Sequence, residues 1–247
     1  MESRLYQEIE ELELRGHWWF KSRHKIIRSL LKKFIFSRAA TALDIGCGTG
    51  TTLKLFKEFN LKVSGLDASD EALVLSKVKN PTAVLFRGSF PEIDFRGQYD
   101  VITLLDVLEH IDDDAFAVRK LGETLAPNGI AIITVPAFML LWTEHDDILY
   151  HKRRYTKRSF LKVLHSSPKL KIEKLSYFNF LLFPAIVSFR LARRIFLFRR
   201  GASDFFTLPK PLNWLLLKVF SLEEKLLTLV NFPFGVSLVS VVRRVGN

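Results

Sequence analysis

The sequence predicts an α/β protein built on a doubly wound, mostly parallel sheet, and three observations carry that reading. From residue 41 onward, short apolar runs alternate with segments of helical periodicity, and parallel strands need such long crossovers to return to the same end of a sheet. A glycine-rich turn, Gly46-Cys47-Gly48-Thr49-Gly50, follows the first apolar run and opens a helical segment. The chain of 247 residues is 48% hydrophobic and 26% charged. That is enough for one large domain with an attached subdomain, and it argues against disorder.

Taken in order, the first ten residues, MESRLYQEIE, begin with acids and lack the basic start and apolar core of a signal peptide. The segment Gly16-His17-Trp18-Trp19-Phe20-Lys21-Ser22-Arg23 precedes a helix reaching residue 34. Three consecutive aromatics cannot share one helix face. They either staple this helix to the sheet or form a flap over a ligand, with an aromatic ring and Arg23 turned toward it. Strands are expected at 41–45, 62–66, 83–86, 99–104 and 129–135, with helices at 51–59, 71–78 and 112–125. Asn60 and the Pro127-Asn128-Gly129 turn punctuate the helix ends. Thr156 is placed to N-cap a helix running to residue 164, and 170–178 and 235–242 read as strands. About fifty residues separate those two strands, far more than a hairpin loop holds. They are expected to form two helices, at 183–198 and 212–230, with Pro211 in the first turn of the second.

The charge is unevenly divided. Residues 1–150 carry 18 Lys and Arg against 22 Asp and Glu, a net of −4, whereas residues 151–247 carry 19 against 4, a net of +15. Half of the 22 phenylalanines lie between Phe178 and Phe234. In the first insert helix Arg190, Arg193 and Arg194 oppose Ile186, Phe189, Ala192 and Phe196; the second is apolar apart from a stripe of Lys218, Ser221, Lys225 and Thr228. Three roles fit this pattern: a packed helical hairpin, a dimer face, or a helix lying in the interface of an anionic membrane. Cations interleaved with Phe and Leu, instead of glycine and polar residues, disfavour nucleic acid as a partner. No stretch reaches the roughly 18 uncharged apolar residues of a spanning helix, and the nearest, 177–189, stops at Arg190. A single cysteine excludes a disulfide framework and a multi-cysteine zinc site. The protein is expected to be cytoplasmic, with its basic insert able to touch the inner face of the membrane; nothing in the sequence fixes an oligomeric state.

The first strand, its glycine turn and the helix after it form a ligand site of nucleotide type. Glycine lets a ligand approach the backbone, and the helix start beyond it presents free amides. About twenty residues later Asp67 ends the second strand, where a carboxylate can accept both hydroxyls of a ribose. The spacing is G-x-G-x-G, not the G-x-G-x-x-G of dinucleotide binders. Asp44, just before the first glycine, is placed to hold a cationic amino group or to order the loop.

The run Asp44-Ile45-Gly46-Cys47-Gly48-Thr49-Gly50 resembles the first motif of class I S-adenosylmethionine-dependent methyltransferases. Tyr99-Asp100-Val101-Ile102 with Asp106-Val107-Leu108-Glu109-His110 resembles that family's fourth-strand motif, and Leu125-Ala126-Pro127-Asn128-Gly129-Ile130 the turn before its fifth strand. The resemblance, over residues 40–140, implies methyl transfer with S-adenosyl-L-methionine as cofactor. It also implies a Rossmann-like seven-stranded sheet whose last strand is antiparallel, here with the helical insert before it. It places Gly46, Cys47 and Gly48 along the methionine moiety, Asp67 and Ala68 on the ribose and adenine, and Ser89 and Phe90 beside the adenine edge. It also sets Leu105 and His110 across the cofactor. Where many relatives have an acid, this chain has Ser89, so a hydroxyl or a backbone group would meet the adenine there. Cys47 has no base beside it in sequence and is not expected to act as a thiolate.

In an open parallel sheet the site lies beyond the carboxyl ends of the strands, so the segment after the fifth strand faces the acceptor. Between His145 and Tyr155 it collects two histidines, two acids, two tyrosines and three cations. His145 and His151 are the candidate bases, oriented by Asp146, while Trp142, Arg154 and Tyr155 are expected to contact the acceptor. His145, Asp146 and His151 lack dense ligand spacing, so no metal is expected. The resulting organisation is a helical lid at 1–40, a cofactor-binding core at 41–180, an insert at 181–232 and a final strand at 233–247. The expected acceptor is small and lipophilic or lipid-linked. A soluble metabolite, or a scaffold that binds cofactor without catalysis, is the alternative.

Overall fold

The computed structural model describes residues 3–95, 97–196 and 208–246. Two helices, α1 (Ser3–Leu14) and α2 (Trp18–Phe34), lead into the alternating part of the chain. There β1 (Thr41–Ile45), α3 (Thr51–Lys57), β2 (Lys62–Asp67), α4 (Asp70–Lys79), β3 (Val84–Arg87), β4 (Tyr99–Leu105), α5 (Asp114–Thr124) and β5 (Leu125–Pro136) follow one another. Beyond them lie α6 (Glu144–Ile148), α7 (Lys157–Leu164), β6 (Leu170–Phe178), α8 (Phe183–Phe196), α9 (Lys210–Leu227) and β7 (Ser237–Arg244).

The strands form one seven-stranded sheet in the order β3-β2-β1-β4-β5-β7-β6. The first five strands pair in parallel, while β7 runs antiparallel to β5 on one side and β6 on the other. This is the expected sheet, with the insert helices preceding its antiparallel last strand. Central strands are apolar on both faces, with Leu43, Ile45, Ile102, Leu104, Ile132 and Ile133 all buried, as helix layers on both sides of a parallel sheet require. Strand order reverses at β1, flanked by β2 and β4, and the carboxyl ends of these strands open a crevice there.

Boundaries differ from expectation in instructive places. β5 begins at Leu125, because Pro127-Asn128-Gly129 is absorbed as a bulge: Tyr99 pairs with Leu125, and the next pair is Val101 with Ile130. Asn128 takes φ 64°, and a Cβ on Gly129 would lie 2.8 Å from the Ala126 carbonyl oxygen. α3 stops at Lys57, short of 59. The expected end of the first insert helix, at 198, lies outside the described residues.

The insert is not an appendage. α9 packs along α2: Lys25 Nζ donates to Ser221 Oγ at 2.9 Å, Ser29 Oγ to Glu224 Oε1 at 2.5 Å, and Lys33 Nζ to the Thr228 carbonyl. Asn213 accepts from the Trp18 amide at 2.8 Å and donates to the Gly16 carbonyl at 3.2 Å, clamping the α1–α2 connection from both sides. Phe220 is buried against Trp18, Trp19 and Phe178. Buried Glu223 accepts from the Phe180 and Leu181 amides, at 2.8 and 3.1 Å, which ties α9 to the start of α8.

One expectation is corrected here. The polar stripe of α9 is divided, since the Ser221 hydroxyl faces Lys25 of α2 while the Thr228 hydroxyl donates to the Lys225 carbonyl of its own turn. Arg190 donates to the Leu141 carbonyl at 2.7 Å; the Arg193 and Arg194 side chains lie outside the described residues. What α9 turns outward is largely apolar: Leu215, Leu222 and Leu226 are exposed, with Lys218 over the Trp214 ring beside them, and Leu229, just past the helix end, is 77% exposed. Among the described residues no helix is long and apolar enough to cross a membrane.

Candidate active site

The glycine turn is fixed from across the sheet. Gly46 and Cys47 both donate their amides to the Leu66 carbonyl, at 2.8 and 2.9 Å. Gly46, Gly48 and Gly50 all have positive φ, which a side chain would strain. A Cβ at Gly46 would strike Val107 at 2.5 Å, whereas at Gly48 it would meet open space. Asp67 accepts from the Gly48 amide through Oδ2 at 2.8 Å and from the Ser69 amide through Oδ1 at 2.9 Å; the Tyr6 hydroxyl stands 3.4 Å from Oδ1. The remaining lone pair on Oδ2 and the loosely held position on Oδ1 can accept a diol.

Asp44 is buried beneath the turn and accepts from the Thr103 hydroxyl at 2.5 Å. Burial lifts its carboxyl to about 7. Burial, then Asp44 and Asp67, raises the Cys47 thiol far above its usual range. Arg23 Nη1 pairs with Asp106 Oδ2 at 2.7 Å, while its buried Nε has no partner. α1 is tied to the turn as well, since Glu13 Oε2 accepts from the Thr49 and Thr51 hydroxyls at 2.7 and 2.6 Å.

These groups line one cavity of about 1180 Å³. Asp44, Gly46, Cys47, Gly48, Asp67, Ala68, Ser89, Phe90, Leu105 and His110 all contribute to its wall. The same cavity continues between α2 and the insert, where Trp18, Trp19, Leu182, Ile186, Phe189, Leu212 and Leu216 line it. The aromatics thus staple α2 to the core and also line the cavity.

On the other wall, His145, His151 and Arg154 line the cavity, whereas Trp142 and Tyr155 do not. Trp142 Nε1 donates to Asp147 Oδ1 at 3.0 Å on the far side of its turn. Tyr155 is 2% exposed, packs on Phe160 and donates to Asp114 Oδ2 at 2.8 Å, so it is a core residue, not an acceptor contact. Arg154 is committed too: Nε and Nη2 grip the two oxygens of Asp146 at 2.8 and 2.9 Å, and Nη1 donates to the Ala137 carbonyl. It therefore positions Asp146, with three of its five N–H groups already engaged.

Asp146 in turn holds His151, whose Nδ1 lies 2.8 Å from Oδ1. Burial alone would raise the Asp146 carboxyl, but the bonds from His151 and Arg154 outweigh it and hold the group well below the usual carboxylate range. Sequence reasoning missed Glu109, although it sits inside the motif ending at His110. It is fully buried, neither carboxylate oxygen has a hydrogen-bond partner from another residue, and burial followed by Asp106 raises its carboxyl well above the ordinary value. The only signal was a carboxylate beside a histidine at the end of an apolar run. The His110 ring stands edge-on to His151 at 4.8 Å, and burial lowers its imidazole to about 4. Among the described residues, His145, Asp146 and His151 form no ligand cluster, while Glu109, His110 and His151 bring ligand atoms within 4.8 Å of one another.

Residues 18–178 match a family model described as "Methyltransferase domain". A ubiquinone biosynthesis O-methyltransferase of Pseudomonas paraeruginosa (strain DSM 24068 / PA7) is 31% identical over 140 residues, covering 50% of this chain and 60% of that protein. A dTDP-4-amino-2,3,4,6-tetradeoxy-D-glucose N,N-dimethyltransferase of Saccharopolyspora spinosa is 29% identical over 123 residues, covering 48% and 49%. The aligned part thus spans half to three-fifths of these relatives. Among solved structures, the plantazolicin methyltransferase BpumL, in complex with a triazolic desmethylPZN analog and SAH, is 15% identical with a TM-score of 0.61, covering 97% of this chain and 90% of that one. At that identity the likeness concerns the fold.

Proposed function

The chain belongs to the family of methyltransferase domains, and from that premise we propose that it transfers a methyl group from S-adenosylmethionine to a small lipophilic acceptor. One observation carries the choice of acceptor: a single cavity joins the glycine turn and Asp67 to the apolar faces of α8 and α9. A soluble sugar would leave that arm dry and unfilled, whereas a hydrocarbon tail gains about 0.8 kcal/mol for each methylene it buries.

The cofactor half of the cavity fits the group. Asp67 accepts the ribose hydroxyls, Gly46, Cys47 and Gly48 give close backbone approach, and the orphan Nε of Arg23 is a donor for the amino-acid carboxylate. Ala68, Ser89 and Phe90 bound the adenine end, and Leu105 and His110 close the opposite wall. When bound, S-adenosylmethionine supplies an electrophilic methyl on a sulfonium. The protein's part is to align the acceptor and exclude water, through the Trp18, Trp19, Ile186 and Phe189 side chains. An acceptor hydroxyl gives its proton to a histidine of the far wall, either His145 or Asp146-oriented His151.

In this reading α1 and α2 act as the lid (1–40), residues 41–180 bind the cofactor, 181–232 receive the acceptor and 233–247 complete the sheet. The leucines that α9 turns outward, with Lys218 and Lys225 near them, rest on an anionic membrane from which the acceptor enters.

Calorimetry with S-adenosylmethionine and SAH, then transfer of labelled methyl to a lipid extract, tests the proposal. Binding with label in the organic phase is the expected outcome. Label recovered in an aqueous metabolite pool would replace the acceptor class. Binding with no transfer to either pool would leave a scaffold, and absence of cofactor binding would overturn the proposal altogether.

A further inference from the structure

The geometry points to a binding site for a divalent transition-metal cation, held by Glu109, His110 and His151 in the wall of the cavity. Three features converge on it. The ligand atoms of these side chains lie within 4.8 Å of one another, with His151 Nε2 3.9 Å from Glu109 Oε1. Three ligands on a tetrahedral ion, at about 2.0–2.2 Å each, sit roughly 3.4 Å apart, so side-chain rotations on the order of an ångström close the site.

Glu109 supplies the second feature. It is 0% exposed, lines the cavity and has no hydrogen-bond partner from any other residue on either oxygen. Buried polar groups in folded proteins are satisfied, and each exception needs a cause. A carboxylate aimed at two imidazoles has one in a shared cation.

The third feature is the surroundings. His151 is fixed through Nδ1 by Asp146, and Asp146 is fixed by Arg154. His110 is bonded to the Tyr150 backbone. His151 thus has one ring nitrogen held by an outer partner and the other nearest Glu109, the arrangement in which metal-binding histidines are usually found. Two imidazoles and one carboxylate favour zinc, iron, nickel or cobalt over magnesium, which prefers an all-oxygen shell. With three protein ligands, a coordination position remains open to the cavity.

Occupancy would remove His151 from the pair of candidate bases and leave His145. The cation itself is inferred independently of methyl transfer, because its presence can be measured with no acceptor in hand. Purified protein is dialysed against chelator and then titrated with zinc ions by calorimetry, alongside Glu109→Gln and His151→Asn. One zinc per chain in the parent protein, with binding at least tenfold weaker in both variants and no uptake of magnesium, is the expected result. Absence of stoichiometric zinc binding overturns the site, as does zinc bound equally by the variants, which would place the ion elsewhere. Circular dichroism of the variants separates lost ligands from lost fold. SAH titration of the parent protein reports on the methyltransferase reading alone, so either idea can fail without the other.

Discussion

Asp44 shows how a single residue ties the site to stability. Its folded pKa of about 7 lies above the ordinary value of 3.8. The folded chain therefore holds a proton that the unfolded chain has already lost over that interval. The stability tied to this carboxyl is complete below about pH 4 and disappears as pH rises through about 7. Asp44→Asn removes the dependence, so the variant gains on the parent protein between about pH 5 and about pH 8. Urea unfolding without cofactor at the two pH values measures it. A constant difference would show that Asp44 titrates normally. At this scale the sequence was legible where backbone need decides the residue: the glycines of the turn and Asp67 are where the motif places them. It was misleading where chemistry alone suggested a role. Arg154 and Tyr155 carry reactive groups, but partners distant in sequence or buried in the core, Asp146, Ala137 and Asp114, had already claimed them.

Among the elements, α9 departs most from what its sequence suggests. Its periodicity gave the helix correctly, but not which side faces the protein, because leucines lie nearly all round it and the partner helix α2 is almost two hundred residues away along the chain. Asn213 is the key contact, joining the first turn of α9 to both sides of the α1–α2 connection. Loss of a side-chain cap costs a helix about 1 kcal/mol. Asn213→Ala should therefore lose stability of that order. It should also speed tryptic cleavage at Arg15, with SAH slowing the cleavage again. Unchanged digestion would mean that the connection is held by packing alone. β5 teaches a related lesson: a turn signature, Pro-Asn-Gly, became a bulge within a strand because Leu125 found a partner in Tyr99.

For the molecule as a whole, the excess positive charge of residues 151–247 sits in the half that carries the exposed leucines of α9. Surface cations and apolar side chains reinforce each other at anionic bilayers, at about 1 kcal/mol per Lys or Arg. Flotation with anionic vesicles is expected for the parent protein and should weaken as salt is raised. Leu222→Glu/Leu226→Glu should stay in the soluble fraction while still binding SAH. Equal flotation of both proteins would move the contact away from α9. The order of elements was readable from the alternation of apolar runs, and the sheet followed from it. The joining of the insert to the N-terminal helices was not, since no local pattern records a contact of such sequence separation.

The position of β7 has a consequence for the birth of the protein. This strand lies between β5 and β6, yet it begins at Ser237, whereas β6 ends at Phe178. A ribosome that has released β6 has still to make both insert helices before the strand that joins β6 to the sheet. During that interval β6 has no neighbour, and its Leu175-Ser176-Tyr177-Phe178 run is an open edge of the kind that draws other chains. Chaperone demand and aggregation during synthesis should therefore peak late, in the time taken to translate the insert.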